Sequence, residues 1–479
     1  MAKQKKIRVP QFSEKLLWTI EHLVSQRPAL ASSGEQITPR QPAEIRSLSA
    51  LYWRMENDAA DAWFPKRENW LEDVRNDKCS PEILAMICDV YPELTPDLIR
   101  DTDFEGFQAA CAPLVSARDH YIGLGRHFLA ERERLAAFAK DYYSDEDELP
   151  DWPLLGRRGW LPELPIPISE SVSIDRFEPS SSYPDARCLP GLNARYGQIR
   201  RLLSPTAKPP FNGDCYRLLS MQLENSGAPI FTYGPCKYFD YYDTCEVHAL
   251  KIASLERDGK AVVDIDPFDI AGHAAVPGVN TLTVFLNFPR FGQNRFLLHR
   301  RSGATVQAGN TLHVVPSGQH QPSQAFYGLD ADVSIWRTMV REFCEELFNV
   351  AEAHGLGIDA GDPLDAPDCR RIVEPLFRSR ASRAYLLGMG LDPVTAKPEI
   401  LVVNIIDFRK LTQQQRDAFS RQKANWEGQL HYFDLTETQI RTQLELDRSH
   451  DLKWLPAGKA CLTEFLRHFR WLMEDSQRH

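Results

Sequence analysis

Three glutamates at helical spacing are the residues of this chain best suited to chemistry. Glu345 and Glu346 follow Glu342 by three and four positions, so on an α-helix the three side chains project from one face. Like charges at this spacing repel one another, and a partner is expected to offset them. Arg341 is one candidate partner, and a hard divalent cation, which takes oxygen ligands, is the other.

The helix that carries these glutamates is predicted over residues 332–349. An apolar stripe at helical spacing runs along another side of it and consists of Trp336, Val340, Phe343 and Leu347. Cys344 lies on the same helix, and no neighbouring histidine in the sequence would activate its thiol, so we expect a buried small side chain. The segment therefore predicts a helix with one core face and one carboxylate face.

A loop rich in glycine and proline, residues 316–324, separates this helix from an apolar run at 311–315. The order of strand, loop and carboxylate helix resembles the Nudix box, whose family pattern is G-x5-E-x7-R-E-U-x-E-E-x-G-U, where U is aliphatic. Gly318 takes the position of the first glycine. The R-E-x-x-E-E core is complete and consists of Arg341, Glu342, Glu345 and Glu346.

The chain departs from the family pattern at three places. Gln324 stands where the family has its first glutamate, and sixteen residues separate it from Arg341 where the pattern has seven. Phe348 replaces the last glycine, although Asn349 is able to adopt the left-handed conformation that ends a helix. Gln324 and the long spacing favour a site without turnover, whereas the intact core favours catalysis.

The resemblance implies an α/β/α sandwich over about residues 278–475. It also implies hydrolysis of a nucleoside diphosphate linked to another group, with Mg²⁺ or Mn²⁺ as the cofactor and a nucleotide-type small molecule as the partner. By the same resemblance, Glu345 and Glu346 are metal ligands, Glu342 is a further ligand or the base, and Arg341 orients the cluster.

Three residues are predicted to bind substrate. By resemblance, Gly318 lets the loop backbone approach the phosphates, and Gln324 takes the position of the missing glutamate. His320 lies in the same loop, where it could contact phosphate or act as an acid. A plain loop histidine is the alternative interpretation of His320.

A second class of function stays open beside the hydrolase. In it, the Nudix-like domain binds a nucleotide or a sugar nucleotide without turnover. The helical N-terminal part then passes the signal to a protein partner or, as a transcriptional regulator, to DNA. A homo-oligomer is compatible with either class.

Composition sets limits on the other classes of function. The chain has 479 residues, 43% hydrophobic and 25% charged, which is typical of a soluble globular protein with two or three domains. Its net charge of −10 argues against a general nucleic-acid binder, because phosphate contacts require a basic surface.

Sequence features also bear on the location of the protein. No apolar run approaches about 20 residues, so no transmembrane helix or membrane partner is expected, and the first residues lack the apolar core of a signal peptide. Ten cysteines are scattered without a C-x-x-C pair, which argues against a zinc ribbon and a disulfide framework. A reducing cytoplasm is therefore the expected location.

Changes in composition divide the chain into four segments. We predict an α-helical domain over 1–143, an acidic and proline-rich linker over 144–170, a mixed α/β segment over 171–275, and the Nudix-like domain over 276–479. The fold class is thus a multidomain α/β protein. Strands are predicted at 216–222, 261–265, 281–288, 295–300, 311–315, 385–391 and 400–407. Helices are predicted at 243–255 and 459–473.

Two helix starts in the N-terminal domain suggest a possible DNA-binding motif. Ser80-Pro81 and Thr95-Pro96 each place a capping side chain before a proline in the first helical turn. Two short capped helices in succession are compatible with a helix-turn-helix. The second helix is short and acidic, however, so an interaction or packing role is favoured over DNA recognition.

Aromatic residues crowd around Gly234 in the middle segment, namely Tyr233, Tyr238, Phe239, Tyr241 and Tyr242. Such a cluster could stack on a base or on a hydrophobic ligand. Aromatic side chains in strand-rich segments are more often part of the core, which is the favoured interpretation. The chain contains no G-x-G-x-x-G, P-loop or G-x-S-x-G motif that would support another nucleotide or hydrolase site.

Overall fold

The computed structural model describes most of the chain with gaps between its segments. The described residues are 7–22, 67–90, 94–169, 171, 174–181, 188–192, 194–203, 212–223, 229–289, 293–301, 311–322, 333–348, 374–379, 381–420, 428–445 and 453–478. The chain divides into two compact units. The first contains residues 1–127 and 187–209, and the second contains residues 128–186 and 210–479.

Most of the N-terminal elements are helices, and strands and helices are mixed in the rest of the chain. The helices are α1 (Phe12–His22), α2 (Arg67–Arg75), α3 (Pro81–Val90), α4 (Pro96–Asp101), α5 (Phe104–Ala130), α6 (Arg132–Tyr142), α7 (Tyr196–Leu203), α8 (Tyr238–Tyr241), α9 (His248–Asp258), α10 (Ile335–Phe348), α11 (Glu374–Arg378), α12 (Gln413–Ser420), α13 (Glu437–Glu445), α14 (Pro456–Arg467) and α15 (Phe469–Arg478).

The strands are concentrated in the second unit. They are β1 (Ile7–Arg8), β2 (Lys78–Cys79), β3 (Ile166–Ile168), β4 (Asp175–Phe177), β5 (Asp214–Leu223), β6 (Pro229–Lys237), β7 (Gly278–Phe288), β8 (Gln293–Arg301), β9 (Thr311–Val314), β10 (Ser317–Gln319), β11 (Ser382–Leu391), β12 (Pro398–Asp407), β13 (Gly428–Asp434) and β14 (Lys453–Trp454). The chain is thus a mixture of helices and sheets, as the sequence predicts.

The first unit is mainly helical, and two of its helices, α3 and α4, begin where the sequence predicts. The Thr95 side chain accepts a hydrogen bond from the Leu98 backbone N–H at 3.2 Å, and Ser80 accepts one from Ile83 at 3.3 Å. Each cap satisfies a backbone donor that the first turn of a helix leaves without a partner. The apolar faces of these helices meet in one core, which contains Phe12, Leu16, Trp70, Ile87, Ile99 and Phe107.

The second unit is built on a large mixed sheet. Among the described residues, the strands of this sheet follow the order β14-β9-β8-β7-β12-β11-β3, with β10 also paired to β7 and β13 to β8. β7 and β12 run parallel at its centre, and their pairing extends from Gly278 and Glu399 to Leu286 and Asp407. Both strands are buried along almost their whole length, as expected of parallel strands that are covered on both faces.

Helices cover both faces of this sheet. Side chains alternate along β7, so Leu282 points to one face and Phe285 to the other. Leu282 shares a buried cluster with Phe465 of α14. Phe285 packs edge-on against Phe419 of α12, which in turn lies 6.3 Å between ring centroids from Phe343 of α10. The unit therefore has an α14 face and an α10 face.

A second, smaller sheet in the same unit has the order β4-β6-β5. The predicted strand at 216–222 corresponds to β5, and the predicted helix at 243–255 overlaps α9. The strand predicted at 261–265 is wrong, because these residues form turns and irregular backbone. The predicted C-terminal helix at 459–473 is broken at His468, where α14 ends and α15 begins.

The acidic run at 144–151 is more ordered than a solvated linker. The Asp147 carboxylate is buried, forms an ion pair with Lys140, and accepts hydrogen bonds from the Leu149 and Gly156 backbone N–H groups at 3.0 Å each. Asp147 therefore differs from the linker residue that the sequence predicts. A charge run in a sequence does not reveal which of its carboxylates the surrounding loop will enclose.

The helical region of the sequence also divides differently from the prediction. α6 belongs to the second unit, where the Tyr143 hydroxyl that follows it lies 2.9 Å from His248 Nε2 of α9. Helical periodicity identifies α6 as a helix but carries no information on which core it joins. No helix in the described part of the chain is both long and apolar enough to cross a membrane.

Candidate functional site

The short strand β10 carries the glycine of the box and is fixed by the central strand of the large sheet. It pairs antiparallel with β7, and Gly318 lies opposite Val279. Gly318 is therefore a strand residue and not a loop residue. Helix α10 packs against β10 and β7 on the α10 face, which brings its carboxylates to this strand.

Glu342 occupies the space directly above Gly318. A Cβ atom added to Gly318 would lie 1.9 Å from Glu342 Cδ and 2.2 Å from both carboxylate oxygens. The glycine is thus required because a side chain at this position would occupy the volume of the carboxylate. The family resemblance implies that this glycine lets the backbone approach phosphates. In the structure, the glycine makes room for the Glu342 carboxylate.

Arg341 connects the helix to the backbone that follows β10. Its Nη1 donates to the Gln321 carbonyl oxygen at 2.8 Å, and its Nη2 donates to the Gln319 carbonyl oxygen at 3.0 Å and to Glu342 Oε1 at 2.8 Å. A guanidinium group offers five donors in a rigid fork, so one side chain can satisfy all three acceptors. Arg341 therefore contacts both the Glu342 carboxylate and the loop backbone, and its role in orienting the whole cluster stays a prediction.

The other two glutamates lie in the same cluster. Glu346 Oε1 accepts a hydrogen bond from the Ser317 backbone N–H at 3.2 Å, at the start of β10. Glu345 Oε1 lies 4.0 Å from Arg341 Nε. The structure thus places Glu346 at the backbone of Ser317 and Glu342 against Gly318, with Arg341 between Glu342 and Glu345.

The carboxylate face of α10 is buried. Glu342 and Glu345 are each 8% exposed, Glu346 is 6% exposed, and Arg341 is 2% exposed. A row of charges on a helix normally indicates a solvated face, so this burial is not predictable from the helix sequence alone. It follows from β10, which covers the face and supplies backbone donors and acceptors to it.

His320 is a core residue and not a loop residue that faces a substrate. Its ring is completely buried between Tyr216 and Tyr233, with ring centroids 4.8 and 4.7 Å away. Nδ1 is 2.8 Å from the Thr338 hydroxyl on α10. Burial, and then the Arg341 charge, lower the pKa of His320 to about 3.

A ring with this pKa is neutral at pH 7 and is therefore not available there as an imidazolium acid. The substrate-binding role that the sequence suggests for His320 is therefore not supported, because desolvation of the ring overrides the freedom expected of a loop. The His320 ring instead ties the end of β10 to α10 and to the small sheet. The other substrate-binding candidate, Gln324, lies outside the described residues.

Asp175 of β4 is a site-supporting residue that the sequence analysis missed. Its Oδ2 accepts a hydrogen bond from the Ile335 backbone N–H at 2.9 Å, at the first residue of α10. Burial raises the pKa of Asp175 to about 7, while the hydrogen bonds from Ile335 and Tyr233 oppose this rise. An aspartate at a helix start is a usual cap, but 160 residues separate these two, so no local pattern reveals the pair.

The aromatic cluster around Gly234 forms part of the core. Tyr233, Tyr241 and Tyr242 are each at most 3% exposed, and Tyr233 and Phe231 stack with ring centroids 6.4 Å apart. Tyr238 and Phe239 are half-buried and also pack on Tyr242. The packing supports the interpretation of this cluster as part of the core. Within the cluster, Tyr233 contacts His320.

Cys344 and the arrangement of possible metal ligands also bear on the chemistry of the site. Cys344 of α10 is completely buried, as the sequence predicts, and it is disulfide-bonded. Among the described residues, no group of three or more His, Cys, Asp or Glu side chains is disposed to hold a metal ion. The cluster is therefore not a preformed cage of protein ligands.

Comparison with known proteins adds little information about the function of the chain. No family model and no curated protein matches the chain. One solved structure that it resembles is the crystal structure of a Nudix hydrolase from Alicyclobacillus acidocaldarius. The match covers 39% of this chain and 89% of that chain, with 14% sequence identity and a TM-score of 0.24. Similarity at this level carries no conclusion about the site.

Proposed function

We propose that the chain is a Mg²⁺-dependent hydrolase that cleaves a nucleoside diphosphate linked to another group. One observation supports this above the others. Glu342, Glu345 and Glu346 are gathered with Arg341 at the backbone of β10, shielded from water. Burying several ionised groups costs free energy, and sites that perform chemistry are where such costs are commonly met.

The donor set of this cluster fits a hard cation. Mg²⁺ takes oxygen ligands, keeps several waters, and is commonly bound by one or two carboxylates together with substrate phosphates. Glu345 and Glu346 are the residues that would hold it, with Glu342 as a further ligand or as the base. A site completed by the substrate needs no cage of three protein ligands, which agrees with the described geometry.

The residues of the chain have separate tasks in this proposal. When bound, the cation neutralises charge on the bridging phosphate oxygens and lowers the pKa of a bound water. Arg341 holds Glu342 in one orientation and fixes the backbone at Gln319 and Gln321. Gly318 leaves room for the Glu342 carboxylate, which therefore stands directly against β10.

Hydrolysis of a substrate panel tests the proposal. Phosphate or nucleotide release is measured from nucleoside diphosphate sugars, dinucleotides and nucleoside triphosphates, with Mg²⁺ or Mn²⁺. We expect Glu345→Gln and Glu346→Gln to lower kcat/KM at least about 100-fold, because even residues that only support a metal ligand contribute about 10–100-fold. Since Gln324 lacks the charge of the family glutamate, activity is expected to need millimolar Mg²⁺ or to prefer Mn²⁺.

A matched control is Glu445→Gln, which changes an exposed glutamate at the end of α13 and should leave turnover unchanged. Circular dichroism and thermal melting confirm that each variant is folded. Equal low turnover in wild type and in both box variants would contradict the hydrolase.

A second candidate function is binding of a nucleotide without turnover. The glutamine at position 324, where the family pattern has a glutamate, favours it. In that case nucleotide binding persists in a calorimetric titration while no product accumulates. The N-terminal helices then pass the signal to a partner.

A further inference from the structure

A cleft of about 620 Å³ opens in the second unit at the junction of α14 and α15. Its volume lies within the range of about 300–1,000 Å³ that is usual for small-molecule sites. The charged side chains of its lining are three arginines and one glutamate, namely Arg441, Arg467, Arg470 and Glu437. This excess of positive charge lies on a chain whose net charge is −10.

Two of these arginines converge on one carboxylate without bonding tightly to it. Arg470 Nε lies 3.5 Å from Glu437 Oε1, and Arg441 Nη2 lies 3.9 Å from Glu437 Oε2. Both separations exceed the usual span of an N–H···O hydrogen bond, about 2.7–3.2 Å. The side chains of Arg470 and Arg441 are 87% and 62% exposed, so their guanidinium donors are open to a ligand.

The third arginine is held more firmly. Arg467 Nη1 donates to Glu464 Oε2 at 3.0 Å, while its side chain is 52% exposed and lines the cleft. His468 lies beside it, and burial, followed by the Arg467 charge, lowers the pKa of His468. The positive charge of the cleft at pH 7 therefore comes from arginine, whose planar fork suits phosphate oxygens.

The rest of the lining is apolar or aromatic. Phe469 and Trp471 are half-buried, and Trp471 is held edge-on against Tyr385 at 5.9 Å between ring centroids. Leu164 is 52% exposed, which is unusual for a large apolar side chain in this unit. A flat or apolar group next to an anion would cover this wall, since pockets typically combine an apolar surface with a few polar anchors.

We propose that this cleft binds a phosphorylated small molecule that carries a planar ring, with the phosphate between Arg441 and Arg470 and the ring against Trp471 and Leu164. The cleft is separate from the box cluster. α14 packs on one face of the large sheet and α10 on the other. The proposal therefore does not depend on the hydrolase function.

Calorimetric titration with adenosine 5′-monophosphate tests this site. The titration uses the full chain at about 0.15 M ionic strength with EDTA present, so that metal-dependent binding at the box does not contribute. We expect saturable, sub-millimolar binding, weakened at least about tenfold in the Arg441→Gln, Arg470→Gln double variant. Arg257→Gln, which removes an arginine paired with neighbouring Asp258 on α9, should leave affinity unchanged.

A variant that is expected to increase affinity shows that weaker binding in the arginine variant is not caused by loss of folding. Glu437→Gln removes the carboxylate that competes for both arginines, and we expect it to tighten adenosine 5′-monophosphate binding several-fold. A misfolded protein cannot produce such a gain. Titration with inorganic phosphate and with adenosine separates the two halves of the ligand, each of which should bind more weakly than the whole.

Four outcomes would overturn the proposal. One is an absence of saturable binding at millimolar adenosine 5′-monophosphate, and another is equal affinity in wild type and in the folded double arginine variant. The third is weaker binding in Glu437→Gln, because a glutamate that assists the ligand is incompatible with a phosphate between the two arginines. Adenosine that binds as tightly as its phosphate would likewise remove the role of the arginines.

Discussion

Replacing Gly318 with alanine is expected to abolish most activity at the box while the chain remains folded. The new Cβ atom would lie 1.9 Å from Glu342 Cδ, a separation that no pair of carbon atoms tolerates, so the carboxylate must move. The atoms that clash are the end of a flexible side chain, so the backbone need not shift. We expect a loss of about 1–3 kcal/mol in the free energy of unfolding, as for other overpacked sites.

The loss of activity in Gly318→Ala should equal that of Glu342→Gln, measured as kcat/KM on the substrate identified by the panel. A double-mutant cycle gives a second readout that needs no activity. Because Glu342→Ala removes the group that the new methyl would strike, the double variant should be no less stable than Glu342→Ala alone. Additive destabilisation in urea would show that Gly318 serves a different purpose.

A suitable control for Gly318→Ala is Gly159→Ala. A Cβ atom at Gly159 meets no other atom within 4 Å, so alanine there should leave activity unchanged and should not destabilise the chain. The comparison separates the effect of the carboxylate above Gly318 from the general effect of replacing a glycine, which reduces the freedom of the unfolded chain.

Asp175→Asn is expected to stabilise the protein at pH 8 and to do so less at pH 5. The folded pKa of Asp175, about 7, lies above its usual value of 3.8, so the folded chain keeps a proton that the unfolded chain has released in this window. The contribution of Asp175 to stability therefore falls as pH rises from about 4 to about 7. Asparagine has no proton to lose and still accepts from the Ile335 N–H.

The advantage of the variant should grow by at most about 1.4 kcal/mol per pH unit in this window and then level off above pH 7. Urea unfolding at several pH values measures it. Asp269→Asn, at an exposed aspartate that accepts from Gly272 N at 3.2 Å, is the control and should not show this growth. A variant less stable than wild type at every pH would mean that Asp175 is ionised in the folded chain and acts as a charged cap.

The elements of the site follow from the sequence, whereas their surroundings do not. The helix at 332–349 is found as α10, and the strand at 311–315 is found as β9, because helical spacing and apolar runs are local properties. The R-E-x-x-E-E residues lie together for the same reason. What local pattern cannot supply is the depth at which a helix face is buried.

His320 illustrates this limit. Its position in a glycine- and proline-containing loop predicts exposure, yet two tyrosines from the small sheet enclose it. His320 follows Tyr216 by 104 residues and Tyr233 by 87 residues in the chain, so its contact with them depends on tertiary packing. Asp175 was missed for the same reason, since its partner Ile335 lies on a different element of the fold.

The contacts of Asp175, Tyr216 and Tyr233 with β10 and α10 have a practical consequence for dissecting the chain. An expression boundary at residue 276, where the family resemblance suggests that a domain begins, would remove all three side chains. The first turn of α10 would lose its acceptor, and the His320 ring would face water. Measurements on such a truncated protein would not describe the cluster as it is in the full chain. The smallest useful fragment must therefore retain the three-stranded sheet.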